Sequence, residues 1–74
     1  MSKKVTKRET KPAMGELRGA YARATLAFNA ASADLILRFA ANLRPSDVQI
    51  AAEEASRLAV ITARRNLWAA YAKA

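Results

Sequence analysis

A chain of 74 residues makes one small domain at most, and chains of that size bury only about 60% of their unfolded surface. It contains neither cysteine nor histidine, which excludes disulfides, thiolate metal sites and the commonest general base together. The formal charge of +7 and a pI near 10.6 speak to acidic partners rather than to fold.

Residues 1–12 form a compositional unit of their own. Lys3, Lys4, Lys7, Arg8 and Lys11 stand against Glu9 alone, a net +4, and Val5 is the one sizeable aliphatic residue after the initiator. Such a segment cannot bury enough surface to fold alone. It reads as a flexible basic arm able to lie on phosphates, with a merely solubilising terminus as the plain alternative. No apolar run follows it as a secretory signal requires. The expected compartment is the cytoplasm, or a virion or filament assembled from it.

The hairpin, residues 13–74, begins with a long helix over about 14–42. At 100° per residue Leu17, Tyr21, Phe28, Leu35 and Phe39 fall in one stripe, with Ala24 and Ala31 on its flank. That spacing marks a bundle seam rather than a ligand box. Glu16, Arg23, Asp34 and Arg38 occupy the opposite face, with Asp34 and Arg38 spaced for an ion pair. A second stripe of Leu26, Ala30, Ala33 and Leu37 lies well round the helix from the first. One partner helix needs one stripe, so a second surface must be covered by something. The longest charge-free run, Ala24 to Ala33, falls far short of the ~20 apolar residues of a membrane span.

Asn42-Leu43-Arg44-Pro45-Ser46-Asp47-Val48-Gln49 interrupts this pattern. Proline breaks a helix and disfavours helical backbone in the residue before it. Ser46 then reads as an N-cap, with Gln49 placed to complete a capping box and Asp47 favoured by the helix dipole. A loop this short forces the flanking helices antiparallel. The fold class is therefore all-α, an antiparallel helical hairpin.

The second helix spans about 46–72. Ala51, Ala52, Ala55, Ala59, Ala63, Ala69 and Ala70 give it a small side, which the bulky stripe of the first helix is expected to pack against. Ile50, Leu58, Ile61 and Trp68, with Val60, Leu67 and Tyr71 adjoining, would then face outward. So much exposed apolar surface implies association, most simply two hairpins making a four-helix bundle, or else a larger helical assembly. The expected protein interface is Leu26, Leu37, Ile50, Ile61, Leu67, Trp68 and Tyr71.

Arg57, Arg64, Trp68 and Tyr71 share about 60° of arc, so guanidinium groups alternate with rings. Such a surface can grip phosphates and stack on bases, or form the hot spot of a protein interface. With Arg65 and the arm's Lys3, Lys4, Lys7, Arg8 and Lys11, these arginines form the expected nucleic-acid contact. The early acids and late bases of the helix also follow its dipole, which is the plainer account of them. The six carboxylates assemble no catalytic constellation, so no enzymatic activity, cofactor or metal is expected.

In architecture the chain resembles small hairpin proteins of the Rop type, which pair into four-helix bundles and bind RNA. Its Pro45-Ser46-Asp47 turn is similar to that joining the helices of type III secretion needle subunits, although the basic arm departs from those. The leading expectation is a non-enzymatic, self-associating protein that binds nucleic-acid backbone, DNA or RNA. The alternatives are a subunit of a filament, pilus or virus coat, and a small inhibitor or adaptor docking a helical face on a larger protein.

Overall fold

The computed structural model describes residues 13–73. Two helices account for nearly all of them, α1 over Met14–Ala40 and α2 over Asp47–Lys73. They pack as an antiparallel helical hairpin, and among the described residues there is no strand. The basic arm, with Lys3, Lys4, Lys7, Arg8 and Lys11, lies outside the described residues.

The first helix ends at Ala40, two residues earlier than its spacing suggests. What stops it is Asn42, not the proline. Asn42 adopts φ 63, a left-handed conformation that costs most L-residues roughly 1–2 kcal/mol but that asparagine tolerates. The Leu43 amide then donates back to the Arg38 carbonyl at 2.8 Å, and the Asn42 amide to the Phe39 carbonyl at 3.0 Å. This pair of bonds is a Schellman motif, and it satisfies carbonyls that the helix end would leave orphaned.

Three residues later α2 starts from the expected capping box. The Gln49 amide donates to Ser46 Oγ at 3.1 Å, and the Ser46 amide donates to Gln49 Oε1 at 2.9 Å. Between the two caps Pro45 is buried. Arg44 reaches Asp47 at 3.4 Å, but that pair is exposed and adds little. Ser46→Ala should therefore cost about 1 kcal/mol in a urea or thermal melt. A loss near zero would show that the cap does not hold the start of α2.

The seam between the helices follows a strict three–four alternation. On α1 the half-buried positions include Leu17, Tyr21, Ala24, Phe28, Ala31, Leu35 and Arg38; on α2 they include Gln49, Glu53, Ser56, Val60 and Ala70, with Ala63 and Leu67 fully buried. That is the heptad geometry of two helices crossing at a shallow angle. Two polar seam residues find partners close by. Ser56 Oγ donates to the carbonyls of Ala52 and Glu53 at 2.9 and 3.0 Å, and the Glu53 carboxylate meets Arg57 Nε at 3.7 Å.

The stripe read on α1 is the packed one except at its end, since Phe39 is 59% exposed. On α2 the alanine side is not the packed side. Ala51, Ala52, Ala55, Ala59 and Ala69 are exposed, and only Ala63 and Ala70 of that set join the seam. Leu67, expected at an intermolecular interface, is instead the most buried apolar side chain of the two helices, at 4% exposure. The physical reason is registry. The packed row, Gln49, Glu53, Ser56, Val60, Ala63, Leu67 and Ala70, is turned about 90° round the helix from the centre of the alanine side, which sets Val60 and Leu67 against α1. The Asp34–Arg38 pair does not form; the ion pairs among the described residues are Arg44–Asp47 and Arg57–Glu53.

Candidate nucleic-acid interface

The hairpin has a closed end at the turn and an open end where α1 begins and α2 finishes. At the open end three rings gather on one broad face. Tyr21 of α1 meets Trp68 of α2 edge-on, with centroids 5.9 Å apart and planes at 81°. Tyr71, one turn after Trp68, lies 6.2 Å from it at 59°. Edge-to-face and tilted pairs of this kind place positive ring edges against negative faces. The Arg64 guanidinium lies over the Trp68 ring at 5.1 Å, a cation–π contact.

The local order of α2 produces this cluster. Arg64 and Trp68 are four apart, and Trp68 and Tyr71 three apart, so all three rise on one side of the helix. Leu67 turns into the seam beside them and anchors the strip. The rings remain accessible, Trp68 at 49% and Tyr71 at 48%. A half-exposed indole beside an arginine can stack on a base or seat a protein side chain.

The other basic residues assigned to this surface divide. Arg57 lies further toward the turn and is engaged by Glu53. Arg65 is exposed, but adjacent helical residues point about 100° apart, so it projects to a different side from Arg64. Among the apolar residues expected at an interface, Leu26 and Leu37 are each 68% exposed and Ile61 is 44% exposed. Ile50 is half-buried. On the opposite broad face from the rings, an open groove of about 520 Å³ runs between the helices, lined mainly by Ala20, Ala24, Ala55, Ala59 and Ala63.

Charge is segregated along the rod, a feature that helix-by-helix reading missed. The half of the hairpin at the open end carries Arg18, Arg23, Arg64, Arg65 and Lys73 against Glu16, a net +4. The half at the turn carries Arg38, Arg44 and Arg57 against Asp34, Asp47, Glu53 and Glu54, a net −1. The arm, with its own +4, joins the chain at the open end. The signal was present in the sequence. It emerges only when both helices are folded back on each other, so that the late bases of α2 stand beside the early bases of α1.

Comparison with protein-family models, curated proteins and solved structures returns no match.

Proposed function

We propose that the protein is a non-enzymatic, self-associating helical hairpin that engages nucleic-acid backbone with its open end. The observation that carries the reading is the segregation of charge: the open half of the hairpin is net +4 and the turn half net −1, and the arm's own +4 precedes α1 in the chain. A polyanion meets such a rod end-on, because phosphate neutralisation and counterion release reward only that end. Arg64 and the half-exposed Trp68 supply a place where a base can stack once the backbone is held. Contacts of this kind do not read base edges, so sequence preference is slight.

Self-association is supported by the core itself. Within the two helices Ala63 and Leu67 are the buried apolar side chains, while ten large apolar side chains stand exposed among the described residues. No helix among the described residues is long and apolar enough to cross a membrane. A filament or coat subunit is the second reading. It is favoured by apolar residues on more than one face, Leu26 and Leu37 on α1 and Leu58, Ile61 and Trp68 on α2, as a lattice requires.

Fluorescence anisotropy with a labelled duplex, titrated at several salt concentrations, tests the first reading. The expected result is a log K that falls linearly with log salt, by ~0.9 for each phosphate neutralised on duplex DNA. Absence of binding at physiological salt, with assembly retained, would favour the lattice subunit.

A further inference from the structure

We propose that the outer face of α1 is a two-fold interface, on which α1 of a second copy of this chain lies antiparallel. The proposal rests on the self-association reading and gives it a face, a direction and a register.

Ala22, Leu26, Ala30, Ala33, Leu37 and Ala40 are all exposed. They fall within roughly 80° of arc, about half a turn round the helix from the residues that meet α2. The hairpin's own second helix therefore cannot reach them. No charged residue enters this arc between Gly19 and Ala40, so the face is apolar along nearly the full length of α1.

The face is complementary to its own reverse. Its midpoint falls between Asn29 and Ala30. Leu26 and Ala33 lie equally far from that point on either side, and so do Ala22 and Leu37. Two copies laid antiparallel about this point set each leucine against an alanine of the other, large into small at four places. A parallel arrangement in register would stack leucine on leucine and leave the alanine levels gaping. Residue pairs that exchange places across an axis are the mark of an isologous interface.

Charge selects the same direction twice. Arg23 and Asp34 lie along one edge of the apolar face, and neither joins an ion pair among those of the described residues. In a two-fold antiparallel pair each edge meets itself. Arg23 of one copy then comes to the level of Asp34 of the other, within about 3 Å along the axis at 1.5 Å per residue, and the pair occurs twice. In the isolated chain Arg23 folds back over Gly19, where an added Cβ would lie 3.1 Å from its guanidinium. That flexible end can swing outward to a partner. Over the whole rod, antiparallel pairing also lays the basic open end of one copy beside the slightly acidic turn of the other, and keeps the two arms apart.

The resulting assembly differs from the square bundle expected of paired hairpins. Because α2 and the second copy cover opposite sides of α1, the helices are ordered α2, α1, α1 of the second copy, α2 of the second copy, in one layer. The axis stands perpendicular to that layer. Both ring clusters therefore open on the same broad face, at opposite ends.

Size-exclusion chromatography with light scattering across a dilution series, at low salt, tests the arrangement. The intact protein should be a dimer. Arg23→Asp and Asp34→Arg should each weaken it on the order of tenfold, given the modest value of exposed ion pairs and their reversal at two places. The double variant should recover the affinity, while circular dichroism shows helicity unchanged in all three. A protein that stays monomeric throughout overturns this interface and the self-association reading together. A dimer that ignores all three variants, yet dissociates with Ile61→Asp, overturns the α1 face and leaves self-association standing. Single variants that weaken the dimer without recovery in the double overturn the antiparallel register.

Discussion

Leu67→Ala should cost the hairpin about 2–5 kcal/mol. The range is that of a fully buried leucine, which loses its transfer free energy and leaves a cavity behind. Here the cavity would open in a helix seam with two buried apolar members, since Leu67 is 4% exposed and Ala63 is the other. Small domains have total stabilities near 5–15 kcal/mol, so the loss is a large share of what exists. The consequence spreads beyond packing. Leu67 holds the strip of α2 from which Arg64, Trp68 and Tyr71 rise, and a frayed end would scatter those groups. A urea melt followed at 222 nm measures the effect, with Leu58→Ala as the comparison. Leu58 is 59% exposed, and its truncation should cost far less in the hairpin itself. Equal losses at the two positions would mean that the seam described here is not the one populated in solution.

Removing residues 2–12 should reduce the salt slope of duplex binding by roughly three to five units. The segment carries five cations and one anion. If each cation neutralises a phosphate, each contributes ~0.9 to the slope, and the acid subtracts from the sum. Between 50 and 200 mM salt such a change amounts to about two to three powers of ten in the difference between the two proteins' losses. Helicity should be unaffected, because none of the seam residues is removed. The residual binding belongs to Arg18, Arg64, Arg65 and Lys73 at the open end. Identical slopes for the intact and shortened proteins would reduce the arm to a solubilising tail, and the nucleic-acid reading would lose its main support.

The turn was the most legible part of the chain. Pro45, Ser46 and Gln49 act through local chemistry that needs no knowledge of the rest, and the capping box forms as its residues require. The stripe of α1 was legible for a similar reason, since its large residues at heptad spacing leave one sensible seam. Asn42 could have been read as the stop for α1, because asparagine before a short loop favours left-handed backbone. Its signal was masked by the stronger one from proline. The packed face of α2 was not legible from residue size. Alanine suits a close approach, a water-facing position and helix propensity equally, so seven alanines did not identify an inside. Several rows on α2 share the three–four spacing, and the packed one contains Leu67. Of the candidate site, Arg64, Trp68 and Tyr71 come together as their spacing implies. Tyr21 joins them only through the antiparallel pairing of the two helices, which no local pattern contains.

The two caps at the turn bear on how the chain finds this shape. Both are closed by bonds between residues three to five positions apart: Leu43 to Arg38, Asn42 to Phe39, Ser46 to Gln49. Reversal of the chain direction can thus precede any contact between distant residues. Once it is made, each successive seam layer closes a loop only slightly longer than the last, and loop-closure entropy grows slowly with length. A hairpin that zips from its turn toward its open end has low contact order and belongs among the fast folders. In that order of events the turn forms early and the layer at Leu67 late. The stability lost in Ser46→Ala should then appear mainly as slower folding, and that lost in Leu67→Ala mainly as faster unfolding. The same order of events would make the end of the rod that carries the rings and the charge the last to close and the first to open.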